Sequence, residues 1–252
     1  MKNALIIYAH PEPKSFNAAL CDRAVSVLSE VGYEVVVSDL HAQNFSPLLD
    51  RPDFTSAADP DYFKPQTEQM QAVEGDSFAA ELKSEMDKLE RADLLIFQFP
   101  LWWFGLPAIL KGWVDRVFAM GFAYGPGIGN YSRGRFKGRK AMLSLSTGGP
   151  LSHFANDGLS GALDVVLWPI QNGMLNFTGF SVLPPFVAPG PARIGDNERA
   201  ALLTAWEARL RSIDETRPLN FHDLDDFDLK GPEPGRLKPG ITGRTVGQRS
   251  GL

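Results

Sequence analysis

Cysteine is nearly absent from this chain. Cys21 is the only one in 252 residues, so no intrachain disulfide can staple the fold. That suits a reducing compartment, and a cytoplasmic location is expected. No apolar run approaches the ~18 residues that cross a bilayer, and the opening run Ala4–Ala9 is too short for a secretory signal. Basic residues are not in excess: 25 Lys and Arg against 30 Asp and Glu give −5, which offers no broad cationic surface for nucleic acid. Four scattered histidines and one cysteine give no zinc spacing, and Asp223, Asp225, Asp226 and Asp228 lack the glycine and glutamate of a calcium loop, so no metal is expected. A G-x-S-x-G elbow, a Walker lysine motif and a G-x-G-x-x-G turn after the first strand are all missing.

What is present is an alternation of short apolar runs and amphipathic stretches. Ala4–Ala9 is apolar throughout, the mark of a parallel strand covered on both faces. Asn17 is placed to cap a helix over 18–31, with Leu20, Ala24, Val27, Leu28 and Val31 on one stripe. Strands follow at 34–39, 93–99, 140–146 and 180–183, and helices at 78–91, 107–118, 163–176 and 196–215, the second of these opening on Pro107. Gly125, Gly127 and Gly129 come after a helix and read as a loop. Residues 41–76, with Pro47, Pro52, Pro60 and Pro65 and no clear periodicity, form an inserted loop region within a domain spanning 1–216. From Arg217 to Leu252 lies an arm or tail rich in proline and glycine. Five strand–helix alternations without a nucleotide fingerprint favour an α/β fold: an open five-stranded parallel sheet of flavodoxin-like order 2-1-3-4-5, with helices on both faces.

In such a sheet, ligands bind beyond the carboxyl ends of the strands where the order reverses. Three loops converge there: 10–17 after strand one, Pro100-Leu101-Trp102-Trp103-Phe104 after strand three, and Thr147-Gly148-Gly149 after strand four. A flat redox-active ring needs aromatic walls, backbone N–H donors along its polar edge and glycines where a second ring approaches. Each feature alone has an ordinary alternative, since tryptophans pack cores, His10 could be a structural donor and a glycine pair could be only a turn. Together, at strand ends, they point to a cofactor.

The combination resembles the NAD(P)H:quinone oxidoreductases of the DT-diaphorase type, flavoproteins of the flavodoxin-like superfamily, over roughly residues 3–230. It is carried by His10 with Ser15-Phe16-Asn17, the run Phe97–Gly105, Lys111-Gly112-Trp113-Val114-Asp115-Arg116-Val117, Ser146-Thr147-Gly148-Gly149 and Leu167-Trp168-Pro169-Ile170-Gln171. The resemblance implies a homodimer with FAD, rather than FMN, in two sites at the subunit interface. NAD(P)H would reduce the flavin, leave, and be replaced by a quinone-like acceptor in a ping-pong sequence. Residue by residue, it places His10, Phe16 and Asn17 on the phosphates and ribityl chain. Leu101, Trp102, Trp103 and Phe104 would stand along the isoalloxazine, Ser146, Thr147, Gly148 and Gly149 at its pyrimidine edge, Arg199 at the adenine half, and Tyr124 in the roof over the substrate.

Four positions depart from the better-known members. Phe154 replaces a tyrosine and Ser160 a histidine, a pair held to stabilise the reduced flavin and relay a proton. Pro126 replaces a second roofing tyrosine, and Phe63 falls near a glutamine that contacts the cofactor. Two other readings stay open: an FMN-dependent nitro or azo reductase, and a flavin-binding regulatory subunit of a membrane transport system.

Overall fold

The computed structural model describes residues 1–231 and 233–243. The part of the expected tail over 244–252 lies outside the described residues. The central sheet contains β1 (Lys2–Tyr8), β2 (Tyr33–Asp39), β3 (Leu94–Pro100), β4 (Lys140–Thr147), β5 (Ser181–Val182) and β6 (Phe186–Pro189), all pairs parallel. Its order is β2-β1-β3-β4-β5, with β6 also on β4, as the sequence leads one to expect. Every residue of β3 is buried, whereas β2 at the edge mixes buried and exposed positions, in keeping with one strand covered on both faces and one at the rim.

Helices α1 (Phe16–Glu30) and α6 (Asp196–Arg211) cover one face, tied together where the Trp206 indole N–H donates to the Leu20 carbonyl at 2.9 Å. Helices α2 (Pro65–Gly75), α3 (Ala80–Arg91), α4 (Ala108–Val117) and α5 (Leu163–Ile170) complete the fold. A second core gathers residues of α2 to α5 around Trp113 and Phe97, whose rings meet edge-on at 5.8 Å. Cys21, on the buried side of α1, has its thiol pushed up to about 12 by burial, so it is an inert packing residue.

The structure corrects several boundaries. Asn17 does not cap α1; Ser15 does, its extended backbone letting Oγ accept from Ala18 N–H at 3.1 Å, while Asn17 is buried as the second residue of the helix. Pro107 sits at the cap of α4 rather than inside its first turn. The expected helix over 163–176 is α5 followed by a π-helical turn, Gln171–Asn176. Pro169 lies inside α5 and has no N–H for the carbonyl four residues back, so the helix loosens just beyond it. The fifth strand is two pieces around Pro184-Pro185, because neither proline can donate to the ladder.

Residues 41–76 are also more ordered than their sequence suggests. They hold a turn of 3₁₀ helix at Arg51–Asp53 and the whole of α2, with Pro65 in its first turn and Asp76 at φ +50 ending it. Phe45 and Ala72 are buried against the chain's own core. The tail, for its part, contains a short antiparallel pair, β7 (Phe227–Asp228) with β8 (Arg236–Leu237), and is fastened to the 131–133 turn by Ser132 donating to Asp223 at 2.9 Å. Gly125 and Gly129 pair across a tight turn in the loop after α4.

Candidate functional site

Parallel pairing brings the carboxyl ends of β1, β3 and β4 to one rim, where the loops bound a cleft of about 530 Å³. Of the expected residues, His10, Phe16, Asn17, Leu101, Trp102, Ser146, Thr147, Gly148 and Arg199 line it. The loop after β6, Gly190 to Ala192, forms a wall that the sequence did not point to, because the second half of the broken strand is short and flanked by prolines.

A buried polar chain holds the three loops in register. Gln98 Nε2 on β3 donates to Asn17 Oδ1 at 3.0 Å, and Asn17 Nδ2 donates to Ser146 Oγ on β4 at 2.9 Å. All three side chains are buried, so each unmade bond would leave a costly unpaired group. Gln98 is the member of this chain that the sequence reading did not single out; its signal was a single amide inside the apolar run of β3.

Three sets of backbone N–H groups at this rim have no protein acceptor among the described residues. The first amides of α1 follow the Ser15 cap, and helix starts of this kind attract anions. Beside them His10 Nδ1 accepts from Glu12 N–H at 3.0 Å, which leaves Nε2 as the donor of the neutral ring. Burial lowers the His10 pKa from its ordinary value, favouring that neutral form. Its ring centroid is 6.2 Å from that of Trp102.

The second set is strained. Trp102 and Gly105 pair across a two-residue turn whose central residues, Trp103 and Phe104, have φ +49 and +60. Both central positions of a type I′ turn need positive φ and favour Asn or Gly, so two aromatic residues there cost on the order of 1–3 kcal/mol each. Neither of their N–H groups has a protein acceptor among the described residues. Trp103 is 97 % exposed. Strain, free donors and exposed aromatic surface at one turn are the signs of a surface made for a ligand.

The third set is Gly148 and Gly149, whose N–H groups likewise have no protein acceptor among the described residues. Thr147 Oγ1 donates to the Gly149 carbonyl at 2.7 Å and fixes the turn. A Cβ on Gly148 would meet nothing within 4 Å, leaving the approach to its backbone open.

The other expected residues stand around the cleft rather than in its lining. Phe154 meets Phe104 edge-on, centroids 6.3 Å apart, which joins the Gly149 loop to the aromatic turn. Ser160 closes that loop by donating its N–H to the His153 carbonyl at 2.8 Å. Tyr124 packs on Phe177 at 5.7 Å, and its hydroxyl accepts from Gln66 Nε2 at 3.4 Å, away from the cleft. The Arg199 guanidinium is held by the Pro191 and Ile194 carbonyls and by Asp196, and so stiffens the far wall.

A family model for the flavodoxin-like fold matches residues 2–211. The NAD(P)H dehydrogenase (quinone) 1 of Cavia porcellus is 42 % identical over 253 residues, covering 100 % of this chain and 92 % of that protein. Ribosyldihydronicotinamide dehydrogenase (quinone) of Mus musculus is 45 % identical over 221 residues, 87 % of this chain and 95 % of the relative. Among solved structures, a Klebsiella pneumoniae protein assigned as a quinone reductase superposes with a TM-score of 0.87 at 38 % identity, covering 100 % of this chain and 98 % of that one. The fold thus defines a flavodoxin-like protein with a cleft at the strand ends. The chain belongs to the family of NAD(P)H:quinone oxidoreductases within that superfamily.

Proposed function

We propose that this protein is a cytoplasmic, homodimeric NAD(P)H:quinone oxidoreductase that holds FAD in the strand-end cleft and works by a ping-pong sequence in one pocket. The observation that carries the reading is the convergence of three sets of N–H donors without a protein acceptor with the strained, exposed Trp103-Phe104 turn. A flavin supplies, when bound, a ring that takes a hydride from a nicotinamide and gives it to an acceptor.

The residues fit such a group end to end. The α1 start and the His10 Nε2–H suit a pyrophosphate. The Trp103 and Phe104 amides suit the ring edge that takes the hydride, and the Gly148 and Gly149 amides suit the edge where negative charge gathers. Beyond the α1 start the cleft continues to Gly190, Pro191 and Arg199, room that an adenine half would use and FMN would leave empty. Tyr124, standing off the cleft of its own chain, is free to roof the site of a second subunit.

Purified protein should be yellow, release FAD on heating, and sediment as a dimer with the flavin band travelling in the same boundary. Colourless protein that takes up neither FAD nor FMN overturns the reading. Release of FMN would move it to the nitro or azo reductases, and bound FAD without quinone turnover would move it to the regulatory flavoproteins.

The strained turn makes a second expectation with opposite signs in two assays. Trp103→Gly relieves the positive φ and should stabilise the flavin-free protein by ~1 kcal/mol. It also removes the exposed ring, so FAD retention should weaken by ~2–3 kcal/mol. Thermal melting without flavin and equilibrium titration with FAD measure the two separately. Unchanged FAD affinity would make Trp103 a bystander.

A further inference from the structure

We propose that Gln98 is a positioning residue for the strand-end cleft: acting through Asn17, it leaves the Ser146 hydroxyl proton free to be donated to the molecule that occupies the cleft. The proposal rests on the flavin reading above for the identity of that molecule. Gln98 lies in the middle strand of the sheet, paired in register with Tyr8 on β1 and Ser144 on β4. It is wholly buried in an otherwise apolar strand, a place where burial alone favours an apolar side chain. Its amide is held by one side-chain bond. Nε2 donates to Asn17 Oδ1 at 3.0 Å, while Oε1 is buried without a partner. The Oγ of Ser144, its register partner, is buried and makes no hydrogen bond either. That fixes which way the amide faces. Turned about, it would present Oε1 to Asn17 and bury an NH2 with two unpaired N–H groups in place of one bare oxygen, which is the costlier arrangement.

The direction of donation then passes outward along the chain. Asn17 receives at Oδ1, so Nδ2 is the end that meets Ser146, and it donates to Ser146 Oγ at 2.9 Å. A hydroxyl carries one proton and two lone pairs. With a lone pair engaged by Asn17, the Ser146 O–H has no protein acceptor among the described residues, and Ser146 lines the cleft. The proton is left for an acceptor oxygen there. A reversed Asn17 amide would take that proton at Oδ1 and leave the cleft a lone pair in its place. Gln98 thus sets the hydrogen-bonding sense of a group two bonds away.

The place of Ser146 indicates what accepts the proton. It is bonded to Asn17 at the α1 start, which suits phosphate, and it stands two residues before Gly148, whose turn suits the ring edge. The sugar-alcohol chain that joins those two parts of a flavin nucleotide carries hydroxyl oxygens that can accept. FAD and FMN share that chain. The donor should therefore serve both alike, whereas the loop from Gly190 to Ala192 can distinguish them.

The test is a double-mutant cycle on the affinity of the flavin-free full chain for FAD and for FMN, with melting of each flavin-free variant as the check on folding. Ser146→Ala removes the donor and should weaken both flavins about fivefold, the worth of one neutral hydrogen bond. Gln98→Met, similar in length but without an N–H, should weaken both by about the same factor, since Asn17 loses the contact that orients it. The double variant should lose about fivefold in all, because the second change acts on a bond already gone. On a Ser146→Thr background, which keeps the hydroxyl, Gln98→Met should again cost about fivefold. Losses that multiply to about 25-fold in the double variant overturn the proposal, as does a Gln98→Met protein that binds both flavins like the wild type or does not fold. In each of those cases wild-type binding leaves the flavin reading standing. Wild-type protein that binds neither flavin overturns both.

Discussion

Arg116→Met should cost ~3–5 kcal/mol of stability, because it leaves a carboxylate buried without its partner. Arg116, on α4, donates to Asp53 at 2.8 Å, and both side chains are almost wholly enclosed, 4 % and 3 % exposed. It also donates to the Ser46 carbonyl at 2.8 Å and to Glu81 on α3 at 3.0 Å, and it lies 4.5 Å over the Phe45 ring. Burial works against its charge, yet Asp53 and Glu81 outweigh that and raise its pKa. One guanidinium therefore fastens the segment from Phe45 to Asp53 onto α3 and α4. In a chain of this length the loss should lower the melting temperature by roughly 10 °C. Removing both charges restores consistency: Asp53→Leu with Arg116→Met should recover much of the loss, since an apolar pair of similar volume is often neutral. A double variant as unstable as the sum of the single ones would show that the carbonyl and Glu81 contacts, not the paired charges, hold the segment.

Gly112→Ala should destabilise as well, against the usual sign for a helix. In an exposed helix interior, alanine for glycine gains ~1 kcal/mol. Here a Cβ would stand 2.3 Å from both the Cα and the carbonyl oxygen of Pro47, backbone atoms that cannot swing aside. Overpacking of this kind costs ~1–3 kcal/mol and can exceed that. Pro47 follows the Ser46 carbonyl that Arg116 grips, so pushing it outward also loosens that bond. Gly112→Ala and Arg116→Met should then combine non-additively in thermal melts. A stabilised Gly112→Ala protein would mean that residues 46–47 sit farther from α4 than this structure places them.

Both expectations concern the segment whose sequence was least informative. Its prolines and missing periodicity suggested a loop, and what orders it is distant in the chain: a glycine at 112 that lets Pro47 approach and an arginine at 116 that binds Asp53. Only the Lys64-Pro65 start and the Asp76 end of α2 were local signals. The strands were legible because a fully covered strand must be apolar along its length, as 94–97 and 141–143 are. The cleft was legible in the same way, since strand order alone decides where its loops meet.

The amino-acid sequence by itself determined the alternation of strands and helices, the order of the sheet, and therefore which three loops share a rim. Those are consequences of local periodicity and of the handedness of parallel crossovers, which act over tens of residues. Only the tertiary structure decided what individual side chains do there. Asn17 looked like a helix cap and became a buried bridge between Gln98 and Ser146, because the partners it needs come from β3 and β4. Trp103 and Phe104 hold positive φ because the pairing of Trp102 with Gly105 closes a turn their own preferences oppose. His153, one residue from a position that drew notice, came to rest on Gly149 because the loop folds back through Ser160, a contact across seven residues that no local pattern records.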